Sequence, residues 1–183
     1  MKCITLVGIV ALLFSIVAYA DSTLTVLGGK AVSNSIVDEK SPAWSIEQET
    51  PIKYGTWLFG YLNEGHKQSG GCVTNPETNT TSGCYGGDKR DGIYAQYKML
   101  YQLTHAVETF VSVGPYFTAT TITQDDGIHY RDSYSMAGLA TAGVKVALNT
   151  NWSATARWNH VIFARDYKDA DVFMFGVGYH PNW

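Results

Sequence analysis

Beyond residue 20 the sequence has no apolar run long enough to cross a bilayer as a helix, which takes about 20 residues. A helical membrane protein is thereby excluded for everything after the leader. Charge of one sign is also missing. The formal net charge is −3, which gives no reason to expect nucleic-acid binding. Cysteine is scarce: of three, Cys3 falls in the leader, and Cys72 and Cys84 match no zinc spacing. Asp125-Asp126-Gly127 lacks the alternating acids and terminal Glu of a calcium loop. No metal and no cofactor is expected, and no Leu-x-x-Cys lipobox is present.

What is there begins with an export signal. Lys2 supplies a positive start, Ile4 to Val17 is almost unbroken apolar sequence, and Ala18-Tyr19-Ala20 offers a small-residue cleavage site. Residues 1–20 are expected to be a signal peptide and residues 21–183 a single domain. In an exported protein, Cys72 and Cys84 are expected to form a disulfide across one Gly/Thr/Asn-rich segment. Closing so short a loop contributes about 3 kcal/mol by chain entropy.

The remaining sequence has the rhythm of strands. Eight β-type stretches fall at about 22–32, 42–50, 56–65, 92–103, 106–120, 133–149, 152–164 and 171–180. Ile93, Ala95, Tyr97, Met99 and Tyr101 share one face against Tyr94, Gln96, Lys98, Leu100 and Gln102 on the other. Connections alternate: short near 51–55, 104–105 and 149–151, long and polar at 33–41, 65–91, 121–132 and 165–170. This pattern predicts an all-β fold, an eight-stranded antiparallel up-and-down transmembrane β-barrel of a bacterial outer membrane, with the long loops outside. A soluble eight-stranded barrel with an apolar interior is the competing fold, and the face that carries the charges decides between them. The face opposite the apolar stripes places Glu47, Glu49 and Glu108 with Lys98, Lys145 and Arg157, three acids against three bases. Trp44, Trp57, Tyr101, Trp152, Tyr179 and Trp183 lie near strand ends, where interfacial girdles sit. Eight strands leave no room for a general porin channel.

Two groups can carry chemistry. Around the largest loop, Asn63, Glu64, His66, Arg90 and Asp91 converge at the outer rim if the third and fourth strands pair. There Glu64 with His66 suits a general base, and Arg90, with Asn63 and Asp91, suits a phosphate or carboxylate ligand. A salt-bridged rim anchoring the loop explains the same residues. The second group lies in Arg157-Trp158-Asn159-His160-Val161-Ile162, where Arg157 points inward and His160 toward lipid or the outer interface.

That segment, followed by a Gly-x-Gly-aromatic strand, resembles the PagL-type lipid A 3-O-deacylases. The resemblance implies an eight-stranded outer-membrane enzyme that uses a His-x-Ser pair and a nearby acid. His160 would be its catalytic histidine, Ile162 stands at the serine position, and Asp166, Asp169 or Asp171 would supply the acid.

Two functions follow as expectations. The first is an envelope or surface-interaction barrel, similar in size to small OmpX/OmpA-type proteins. Its disulfide-closed outer loop would meet lipopolysaccharide, a host surface or another envelope protein. The second is a lipid A-modifying acyl hydrolase. Whether the chain is an enzyme stays open at this point.

Overall fold

The computed structural model describes residues 22–33, 41–67, 72–75, 80–124, 129–163 and 169–181. Among the described residues the chain forms nine strands: β1 (Thr23–Ser33), β2 (Ser41–Ile52), β3 (Gly55–Lys67), β4 (Cys72–Asn75), β5 (Thr80–Gln102), β6 (Val107–Gln124), β7 (His129–Ala147), β8 (Trp152–Phe163) and β9 (Ala170–Tyr179). All pairings are antiparallel, and β9 returns to β1 while β3 pairs with β5. Eight strands therefore close into an up-and-down barrel with no free edge in its wall, and β4 lies outside it as a short partner of β5.

The faces decide the solvent. Val26, Phe59, Ile93, Val111, Val113, Phe117, Phe173, Phe175 and Val177 are exposed on the outside. The inside buries Glu47, Glu49, Gln96, Lys98, Thr141, Arg157 and Asn159. A soluble barrel would have the reverse arrangement, and only hydrocarbon makes so apolar an outer wall favourable.

The interior charges pair as expected in five of six cases. Arg157 is ion-paired to Glu47, which also accepts the Tyr94 hydroxyl at 2.6 Å. Lys98 and Lys145 both reach Glu49, at 2.6 and 3.0 Å. Glu108 faces Lys145 across the β6–β7 ladder, and Lys145 turns to Glu49 instead. Gln96 fills the middle layer, donating to the Leu139 carbonyl at 2.9 Å and accepting from Ser112 at 3.2 Å. Rings complete the packing by lying over glycines. A Cβ on Gly60 would fall 2.5 Å from Tyr94 Cζ, and one on Gly143 2.5 Å from Phe110 Cζ. Both pairs are direct cross-strand neighbours, so the missing side chain makes the space that each ring fills.

The tight end is built by polar caps. Asn149 Oδ1 accepts from the backbone of Asn151 and Trp152, each at 2.9 Å, and Thr104 Oγ1 accepts from Val107 at 3.1 Å. Trp57, Tyr101, Trp152 and Tyr179 ring this end, while Trp44 belongs to the opposite one. Trp183 and residues 1–20, expected to be a signal peptide, lie outside the described residues.

The segments 65–91 and 121–132, expected to be loops, are largely strand. β5 has 23 residues, β6 18 and β7 19, against 10 to 13 in the other wall strands. Above the lipid, backbone hydrogen bonds extend a sheet without any need for apolar alternation, so polar Gly/Thr/Asp sequence conceals it. The result is a blade of β4, β5, β6 and β7 rising from one side of the barrel.

Candidate functional site

The rim group forms because β3 and β5 pair, with Asn63 opposite Asp91, Gly65 opposite Arg90 and His66 opposite Lys89. A bulge interrupts this register between Asn63 and Gly65, leaving Glu64 as the extra residue. Gly65 takes φ 89°, and its N–H donates to Asn63 Oδ1 at 2.8 Å, which locks the bulge. The faces are thereby separated. Asp91 lies outside, where its carboxylate accepts the Tyr61 hydroxyl at 2.6 Å. Tyr61 in turn packs against Trp44, ring centroids 5.1 Å apart. Glu64 is buried and turns inward toward Tyr116, whose hydroxyl donates to the Leu62 carbonyl at 3.3 Å. The residues expected to converge do so along the backbone, but the described side chains of Asn63, Glu64 and Asp91 do not share one face. Asn63 and Asp91 belong to the outer wall, and Glu64 to the interior. The side chains of His66, Cys72 and Cys84 lie outside the described residues, although Cys72 and Cys84 stand opposite each other in the β4–β5 ladder.

The second group is more compact. His160 on β8 lies directly opposite Asp171 on β9, and Nδ1 stands 2.9 Å from Asp171 Oδ1. Trp158 Nε1 donates to the same carboxylate oxygen at 2.8 Å and its ring lies 5.6 Å from the imidazole. The side chains of His160 and Asp171 are 29% and 24% exposed, on the outer wall. Arg157, Asn159 and Val161 point inward as expected. Cross-strand register sets Asp171, one of the three candidate acids, against His160, and Asp166 lies outside the described residues. Ile162 shares the outer face with His160, and its cross-strand neighbour on β7 is Gly138. A histidine oriented by a carboxylate can act as a base toward water or an alcohol, with Trp158 holding the acid in place.

Some contributors carry no sequence signal beyond their type. Tyr94 joins Glu47, Ser45 and Arg157 in one buried network, and Asn159 accepts from Thr141 at 2.9 Å. Counting charges finds the ions of this core but not its neutral partners. Among the described residues no group of His, Cys, Asp and Glu is arranged to hold a metal ion.

Several solved structures share the fold. Neisserial surface protein A aligns at TM-score 0.63 and 14% identity, over 88% of this chain and 96% of that one. Ail, the attachment invasion locus protein of Yersinia pestis, aligns at 0.56 and 10%, over 87% and 95%. The N-terminal barrel of Pseudomonas aeruginosa OprF aligns at 0.55 and 13%, over 86% and 96%. No protein of curated function matches the sequence. The PagL-type likeness finds no specific support among these similarities, which reach only the coarser class of small outer-membrane barrels. The model of the outer membrane protein beta-barrel domain matches residues 10–180, so the chain belongs to that family and resides in the outer membrane of a Gram-negative cell.

Proposed function

We propose that this barrel works at the cell surface, as a rigid mount that presents the β4–β7 blade to a host or envelope partner. The blade carries this reading, because β5, β6 and β7 extend far beyond the length their neighbours need to span the wall. A channel role is disfavoured by an interior filled with ion pairs and rings. The similar proteins include a Neisserial surface protein and the attachment invasion locus protein Ail, one structure of which holds the heparin analogue sucrose octasulfate. Cys72 and Cys84, opposite in the ladder, would form a disulfide that closes the β4–β5 hairpin at the far end of the blade. Lipid and lipopolysaccharide would surround the wall below. The test is adhesion of intact cells to host-matrix and heparin-coated surfaces. Cells with the full chain should adhere above the empty-vector level, and a version with residues 70–86 replaced by a short Gly-Ser turn should not. Equal adhesion by both, at equal insertion, contradicts the reading.

The His160–Asp171 pair favours a second reading, acyl-ester hydrolysis in the outer leaflet. With Ile162 at the position of the serine, His160 would have to activate water directly. Lipid A from cells making the wild type or His160→Ala decides it by mass spectrometry. Loss of an acyl chain only with the histidine supports hydrolysis, and identical lipid A rules it out.

A further inference from the structure

Where the blade meets the wall, a groove of about 510 Å³ opens on the outer surface between β3, β5, β6 and β7. Its floor is Ala119, small beside its neighbours. Ile93, Phe117 and Met136, exposed on the outer face and paired in one cross-strand row, form its lower edge. Tyr134, 84% exposed, rises on one flank and Tyr61 stands on the other. The volume lies within the range of about 300–1,000 Å³ usual for ligand sites.

Height identifies the occupant. From Tyr101 in the lower girdle, β5 climbs about 25 Å to Asp91, taking about 3.4 Å per residue and a tilt of about 40°. That distance is the height of the apolar band of such barrels, so the lower edge of the groove meets hydrocarbon and its top meets headgroups. The top is polar on the same face. Asp91 is held by Tyr61 at 2.6 Å and retains acceptor capacity, and Lys89 is exposed two residues higher. Successive residues on one face of a strand stand about 7 Å apart, a spacing comparable to a sugar ring.

We propose that this groove binds one phosphorylated, N-acylated glycolipid of the outer leaflet, with lipid A chemistry. An acyl chain lies over Ala119 against Phe117 and Met136. Asp91 accepts from the amide or hydroxyl donor of the sugar, and Lys89 meets the phosphate. A plain hydrocarbon would use only the lower edge, and a plain phosphate would be repelled by Asp91. The amphiphile alone uses both ends of the groove. This site is on the wall and does not depend on what the blade binds.

The test is native mass spectrometry of the full chain released from detergent micelles with lipid A, dephosphorylated lipid A or phosphatidylethanolamine. The wild type should retain one lipid A and lose it at least about tenfold more readily in Ala119→Trp, which fills the groove. Ala142→Trp adds the same bulk to the outer wall elsewhere and should bind as the wild type does. Lys89→Gln, an exposed change that leaves folding intact, should remove the preference for lipid A over its dephosphorylated form. Retention by Ala119→Trp equal to the wild type overturns the proposal, as does equal retention of phosphatidylethanolamine. An unaltered phosphate preference in Lys89→Gln overturns the headgroup assignment.

Discussion

Arg157 and Glu47 meet inside the barrel from β8 and β2, their side chains 1% and 2% exposed, with Tyr94 donating to the same carboxylate. Removing one partner strands a charge away from water. Glu47→Gln or Arg157→Met should each cost about 3–5 kcal/mol in urea unfolding from lipid vesicles. The double variant should cost less than the two single losses combined, by about 1–3 kcal/mol. Strict additivity would show that the two residues do not act as a pair.

The same network fills the barrel's cross-section together with Glu49, Lys98 and Lys145. Vesicles carrying the chain should therefore swell in small sugars no faster than protein-free vesicles. Porin-like swelling would require an interior very different from this one.

Gly60 lies beneath the Tyr94 ring, and Gly28 has nothing within 4 Å of where its Cβ would be. Gly60→Val should destabilise the barrel by about 1–3 kcal/mol, whereas Gly28→Ala should leave unfolding close to that of the wild type. Equal effects would remove the interlock of ring and glycine from the account.

If the Cys72–Cys84 bond forms, reduction should loosen the blade and spare the barrel. Limited proteolysis of reduced protein should cut between residues 68 and 86 while the heat-dependent gel shift persists. Protease resistance unchanged by reduction, or by Cys72→Ser, would count against the bond.

How much of this was legible in the sequence follows from what each residue has to satisfy. Within the lipid, β5 must alternate, and Ile93 to Gln102 declares itself. Above the lipid, Thr80 to Asp91 has no such duty, and its Gly, Asp and Lys residues read as a loop. The interior ions could be assigned to a face because charge cannot face hydrocarbon. Their cross-strand partners could not, because Lys145 chooses Glu49 over its direct neighbour Glu108. At the rim, one extra residue reverses every face beyond it, and the bulge at Glu64 is set by Gly65, which any turn would also use. Asp171 was one acid among three until the β8–β9 register set it against His160.

Everything proposed for this chain depends on the blade lying outside the cell and the short turns inside. The most direct measurement is antibody labelling of intact cells carrying a short epitope either between β4 and β5, at residues 76–79, or in the turn between Lys53 and Tyr54. The first epitope should be labelled on intact cells, and the second only after the outer membrane is permeabilised. Labelling of the 53–54 epitope on intact cells, with the 76–79 epitope hidden, would contradict it.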